Sequence, residues 1–303
     1  MMTKGEIIKK LRIEKKVSQD DLAYLICNTS TLSKIENGSQ EPRWLTFCEL
    51  IERLGEDPQK YADVMSDREK KAIDLEYTIM ECLSFEKYED AKKYLDKLKK
   101  IQKPDKGSRK FIKITQIMLD KFNHSSPKNA IETSQEAIKA IEEAFGYAVD
   151  KDLDRKLFSR QDLRILNFLA FCYCDVDLDH GIDIYYTIKE YIEDTVSDKS
   201  SFVNLYTGVA YNLSKQIFTR GEYKESLDIV EEGIEWCEKY NRHFAYPGLL
   251  LGKAMLLIEM KIEQEEVIEL LYLSYLLYKR RGDKVCENIK SYAKDKGIEI
   301  KIS

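Results

Sequence analysis

Residues 18–38, Ser-Gln-Asp-Asp-Leu-Ala-Tyr-Leu-Ile-Cys-Asn-Thr-Ser-Thr-Leu-Ser-Lys-Ile-Glu-Asn-Gly, constrain the fold of this chain more than any other stretch. Leu22, Leu25 and Ile26, then Leu32 and Ile35, recur at three- and four-residue steps, the period of helices that share a small core. A tight turn near Cys27 and Asn28 separates the two runs, so the stretch reads as a helix–turn–helix. Ser18, with Asp21 three residues on, caps the first helix in the manner of a capping box, and Asn28 or Thr29 caps the second. Gly38 ends the second helix, because glycine takes the left-handed conformation without a Cβ penalty.

The polar residues of the second helix, Ser30, Thr31, Ser33 and Lys34, then turn outward, with Thr29 and Asn37 at its ends. Such a face can read a DNA major groove. Gln19, in the first turn of its helix, is placed to hold a backbone phosphate. Charge supports this only locally: residues 1–60 carry ten Lys or Arg and ten Asp or Glu, so the segment is neutral. DNA binding would rest on patches around Arg12, Lys15, Lys16, Lys34 and Arg43, and on doubling by dimerisation.

The run from Leu11-Arg12 through Ser18-Gln19-Asp20-Asp21-Leu22-Ala23 to Leu32-Ser33-Lys34-Ile35-Glu36-Asn37-Gly38 and Pro42 resembles the XRE (Cro/C1-type) DNA-binding domain. The resemblance implies a five-helix domain, with Glu36 at the acid that family uses structurally. The short Ile26-Cys27 turn is similar to that of PlcR-type regulators in the RNPP family of peptide-pheromone receptors. Arg43 stands where that pattern usually has serine, which implies a differently capped fourth helix.

Composition sets the remaining bounds. A chain of 303 residues, 43% hydrophobic and 34% charged, with five prolines and thirteen glycines, is expected to be all-α and to exceed one domain. It contains no run of about eighteen apolar residues and no apolar N-terminal leader, so a cytoplasmic location without membrane insertion is expected. Seven scattered cysteines read as reduced core residues. Neither they nor the three histidines fall in ligand spacing, so no metal and no cofactor are expected.

A boundary is expected near residue 66, giving domains of 1–65 and 66–303. Asp57-Pro58 starts a last short helix of the first, and Ser66 with Glu69 forms a capping box that opens the second. Beyond it the chain repeats. Ala91, Ala130, Gly181, Ser226 and Val267 mark helix–turn–helix units at steps of 39, 51, 45 and 41 residues, with Pro127 opening one of them. We read five tetratricopeptide-like (TPR-like) hairpins and a closing helix from about Lys284, stacked as a right-handed superhelix with a concave inner face.

First helices of the repeats, about 159–174, 201–219 and 243–260, line that face. They carry carboxamides, Asn167, Asn204, Asn212 and Gln216, inside apolar runs. A carboxamide offers a donor and an acceptor together, which matches an extended peptide backbone; it can equally bond a neighbouring helix. Phe168, Phe171, Leu205, Tyr211, Leu249 and Leu250 are candidate pocket walls, though Leu and Phe at this spacing are commonly core. Lys215 or Lys253 would meet a terminal carboxylate. The run Tyr211-Asn212-Leu213-Ser214-Lys215 looks like the Tyr-Asn-x-x-Lys of PlcR-type repeats, where the resemblance implies that Asn212 binds the signalling peptide.

The expectation is therefore a homodimeric DNA-binding regulator with a two-fold symmetric operator, switched by a short peptide. Two rivals remain: a scaffold controlled by a protein partner, and an enzyme. No nucleophile–base pair or phosphate-binding loop supports the second.

Overall fold

The computed structural model describes residues 2–58, 60–61, 67–101, 106–122, 128–145, 157–196, 198–262 and 264–300, and every regular element among them is helical. Two compact units divide the chain, Met1–Val176 and Asp177–Ser303.

The first unit begins with α1 (Lys4–Glu14), α2 (Gln19–Ala23), α3 (Thr29–Glu36) and α4 (Trp44–Arg53). Ile8, Leu22, Leu32, Ile35, Phe47 and Leu50 close their common core, which fixes α2 and α3 as the helix–turn–helix pair. Local caps set the ends: Ser18 Oγ accepts from the Asp21 N–H at 3.0 Å, and Asn28 Oδ1 from the Thr31 N–H at 2.7 Å. The first helix is shorter than its apolar pattern predicts. It stops at Ala23, whose carbonyl takes both the Ile26 and the Cys27 N–H at 2.9 Å, and Leu25 sits in the turn at φ 56°. Ile26 still reaches the core from the turn. Of the expected fifth helix, Pro58, Lys60 and Tyr61 form a 3-10 turn, and Tyr61 meets Phe47 edge-on at 5.8 Å. Ser66 and Pro127 lie outside the described residues.

Helices α5 (Asp67–Ser84), α6 (Tyr88–Ile101), α7 (Lys106–Lys121), α8 (Ala130–Phe145) and α9 (Arg160–Val176) complete the unit. Helices α5 and α6 pack as one pair and α7 and α8 as the next, with α9 against α8. A buried ion cluster joins this part to the helix–turn–helix. At the end of α4, Arg53 Nη2 meets Asp162 Oδ2 of α9 at 2.8 Å, and Lys110 Nζ of α7 meets Asp162 Oδ1 at 2.7 Å. The side chains of Arg53 and Asp162 are 1% and 0% exposed. Arg53 also donates to the carbonyls of Leu22 and Tyr24, the end of α2. Asp162 caps its own helix as well, accepting from the Ser159 N–H at 2.9 Å while its own N–H donates to Ser159 Oγ at 3.1 Å.

The second unit holds α10 (Leu178–Asp194), α11 (Val203–Thr219), α12 (Tyr223–Lys239), α13 (Tyr246–Glu259), α14 (Gln264–Arg280) and the closing helix α15 (Val285–Asp295). Each packs on the next along the chain. Small residues set the close approaches. A Cβ on Gly233 of α12 would lie 3.0 Å from Leu249 of α13 and 3.2 Å from Ala210 of α11. Ser226 Oγ donates to the Ser214 carbonyl at 2.7 Å, satisfying a hydroxyl in the α11–α12 seam. Gly221, at φ +80°, closes that hairpin, where its N–H donates to the Phe218 carbonyl.

The cluster yields two predictions. Asp162→Asn leaves Arg53 and Lys110 buried without their counter-charge, and is expected to cost about 3–5 kcal/mol in a urea melt. Glu49 of α4 is pushed up to about 7, first by burial and then by Asp162 and Glu52, against the opposing pull of Lys110 and Arg53. A raised carboxyl stabilises the fold below its unfolded pKa, and that contribution is lost as pH rises from about 4.5 through 7. Glu49→Gln is expected to match wild type in melts near pH 5 and to exceed it by roughly 1–3 kcal/mol at pH 8.

Candidate functional site

The outer face of α3 is one helical stripe. Ser30, Lys34 and Asn37, at steps of four and three residues, are exposed, and Thr31 and Ser33 are half-buried beside them. Thr29 at the helix start donates to Asp20 of α2, and Ser30 Oγ to Asn28 Oδ1 at 2.9 Å. Arg43 is exposed and is the N-cap residue of α4, with no side-chain capping bond.

Behind this face lies a buried carboxylate. Glu36, 4% exposed, accepts from Arg12 Nε at 2.6 Å, Arg12 Nη2 at 2.8 Å and Gln19 Nε2 at 2.8 Å. Burial alone would raise its pKa, but the bonds from Arg12 and Gln19 outweigh it and hold the carboxyl below its ordinary range. Arg12 also donates to the Val17 carbonyl at 3.1 Å. Arg12 and Gln19 therefore tie α1, α2 and α3 together, and their guanidinium and amide are already committed to that task.

In the same unit, α9 presents Arg160, Arg164, Asn167 and Phe171 at steps of four, three and four residues. Arg160 is held by Glu52 of α4, its N–H donating to Glu52 Oε2 at 2.9 Å. Arg164 has neither a hydrogen bond nor an ion pair among the described residues. Asn167 Oδ1 is buried without a hydrogen-bond donor. Phe171 packs on Phe122 at 5.5 Å with Lys121 Nζ 5.7 Å from its ring centroid, and Phe168 joins the same aromatic group.

In the second unit, α11 carries Asn204, Tyr211 and Lys215 along one stripe, with Asn212 and Gln216 beside it. None of the Asn204, Asn212 or Gln216 carboxamides bonds to another part of the described protein. Gly208 lies within the stripe, and a Cβ there would meet nothing within 4 Å. Tyr211 leans on Gly248 of α13, whose Cβ position is 3.0 Å from the Tyr211 ring and 3.1 Å from the Tyr278 hydroxyl. Leu249 and Leu250 are placed in the packing core, at 0% and 3% exposure. Lys253 Nζ is clasped by Glu231 and Glu266, each at 2.9 Å. The sequence reading missed Arg164, Gly208 and Tyr278. The step of three from Arg164 to Asn167 was a usable signal for the first; Tyr278 is brought to Tyr211 only by the packing of α14.

Among the described residues no group of His, Cys, Asp and Glu is arranged to hold a metal, and no helix is long and apolar enough to cross a membrane. The RNPP family C-terminal domain matches residues 78–297. The chain belongs to the RNPP family. A helix-turn-helix family matches residues 8–61, so RNPP repeats and a DNA-binding type of head together account for nearly all of it. Among solved structures, this RNPP-family chain is similar to Bacillus thuringiensis PlcR in complex with the peptide PapR7 and DNA, at 19% identity and a TM-score of 0.58, over 98% of this chain and 99% of that one. It is also similar to ComR from S. thermophilus in complex with DNA and its signalling peptide ComS, at 15% identity and 0.58, over 98% and 100%. The apo competence regulator ComR from Streptococcus vestibularis follows at 14% and 0.54, over 98% of each chain. At these identities the likeness is one of fold. No curated protein matches the sequence.

The two kinds of basic residue on the RNPP head are separable by experiment. Lys34→Ala removes an exposed side chain and is expected to weaken binding to a DNA site selected from random duplexes by about 1–3 kcal/mol, with unchanged melting. Arg12→Ala unpairs Glu36 and is expected to lower the melting temperature before any DNA effect is seen. Gel-shift titration and thermal melts of both variants check the contrast.

Proposed function

We propose that this chain is a cytoplasmic, homodimeric transcription regulator that binds DNA through residues 1–65 and is switched by a short peptide held by residues 66–303. The α3 stripe Ser30, Thr31, Ser33, Lys34 and Asn37 would face the major groove, with Thr29, Gln19, Arg12 and Arg43 flanking it. Asn167 and Phe171 of the first unit, and Asn204, Tyr211, Asn212, Lys215 and Gln216 of the second, would contact the peptide; Leu249 and Lys253, expected from sequence to join them, are buried in the core and held by Glu231 and Glu266 respectively.

One observation carries the reading. Carboxamides at Asn167, Asn204, Asn212 and Gln216 make no hydrogen bond within the described protein. Inter-helix ties would each show a partner on a neighbouring helix; instead Asn204 is exposed, Asn212 and Gln216 are half-buried, and Asn167 Oδ1 is buried without a donor, the case in which a native polar group nearly always has a partner. The same groups match the N–H and C=O of an extended backbone. That PlcR and ComR have been solved with both DNA and a peptide supports it further. Peptide binding would favour one arrangement of the helical repeats over another and thereby shift the DNA-binding state.

The test begins with two enrichments on the full-length protein, one from random duplexes and one from random seven-residue peptides. The expected duplex is two-fold symmetric, with half-sites about 34 Å or a multiple apart. An enriched peptide is expected to change duplex affinity at least fivefold, the low end of allosteric coupling. Asn212→Ala is expected to weaken that peptide by about 1–3 kcal/mol without lowering the melting temperature. Failure to enrich any duplex, or enrichment of peptides indifferent to Asn212→Ala, would overturn the reading.

A further inference from the structure

Among the first unit's polar groups with no hydrogen bond, which include Glu76 Oε1, Thr115 Oγ1 and Arg160 Nε and Nη2, two on α9 lie three residues apart. Arg164 is half-buried and carries neither hydrogen bond nor ion pair, and Asn167 Oδ1 is buried with no donor. A half-buried guanidinium has lost part of its hydration, which an opposite charge beside it would offset. The nearby groups do not supply the pairing. Glu52 is taken by Arg160, through the Arg160 N–H at 2.9 Å and Nε at 3.6 Å, and Glu76 and Tyr77 of α5 act on Arg164 only at a distance. Burial, with Arg160 one turn away adding like charge, disfavours the cationic form of Arg164. A ligand anion would relieve both effects.

The spacing defines what the anion is attached to. Residues three apart on a helix are neighbours, their Cβ atoms about 5–6 Å from each other. A guanidinium takes a carboxylate with two parallel bonds, and a carboxamide oxygen one turn on takes an N–H. The last residue of a peptide presents both groups on one Cα.

We propose that Arg164 and Asn167 hold the C-terminal residue of the peptide, Arg164 taking the terminal carboxylate and Asn167 Oδ1 the last backbone N–H. This deepens, and rests on, the peptide-receptor reading above. It also replaces the two lysines expected from sequence. Lys253 is already neutralised by Glu231 and Glu266 at 2.9 Å each, and Lys215 is exposed, where an ion pair is weak.

The same carboxylate chemistry could come from an acidic side chain, so the experiment separates the two. Peptides are enriched on the full-length protein from a random seven-residue library that lacks Asp and Glu, then made as free acids and as C-terminal amides. Isothermal titration is expected to show the free acid at least tenfold tighter than the amide for wild type. Arg164→Gln is expected to bring the free acid to the level of the amide, and Arg164→Lys to keep part of the preference, with thermal melts confirming that both variants fold. If Arg164→Gln does not fold, the Lys variant and Asn167→Ala, which is expected to weaken both peptide forms alike, take its place. Equal binding of acid and amide to wild type, or a preference that survives Arg164→Gln, overturns the assignment while leaving the peptide-receptor reading intact. Enrichment only from a library that contains Asp and Glu shows a side-chain carboxylate and also overturns it. If no library yields a peptide, the receptor reading and this inference fall together.

Discussion

The contact on which the first unit depends is the buried meeting of Arg53, Lys110 and Asp162. One carboxylate, fully removed from water, serves two cations from two helices and caps the helix that carries it. Arg53 spends its remaining donors on the carbonyls of Leu22 and Tyr24, where α2 runs into the turn before α3. This constellation, together with the Arg160–Glu52 contact, ties α2 and α4 of the head to α9. Buried ion clusters are poor stabilisers compared with apolar packing, but removing one partner strands an uncompensated buried charge. Glu49 beside them has its pKa raised by the same burial.

The head itself follows a different economy of charge. It is neutral as a whole, and its internal carboxylate Glu36 consumes Arg12 and the amide of Gln19. What remains outside on α3 is short and polar, with Lys34 its one cation among the described residues. Such a surface suits base-edge reading with modest phosphate attraction, so occupancy of DNA would lean on doubling through a dimer.

In the repeats, helix approach is set by small residues and satisfied hydroxyls, and the carboxamides are left over. Gly233 and the Ser226–Ser214 bond draw α11, α12 and α13 together, while a Cβ on Gly208 of α11 would meet nothing within 4 Å.

From the sequence alone, the helix–turn–helix was legible because caps and apolar steps act within a dozen residues, and Ser18, Asn28 and Gly38 speak locally. The hairpins after it were legible for the same reason, through repeated small residues and turns; Asn212 was singled out only by resemblance to PlcR-type repeats. Tertiary structure alone decided three things. It ended α2 at Ala23, because the doubly used Ala23 carbonyl lets Ile26 fill the core from the turn. It buried Leu249 and clasped Lys253, which a helical pattern cannot distinguish from a ligand face. Above all it paired Arg53 with Asp162 across 109 positions of chain. A charged residue in an amphipathic pattern reads as solvated, and only the fold shows which counter-charge reaches it.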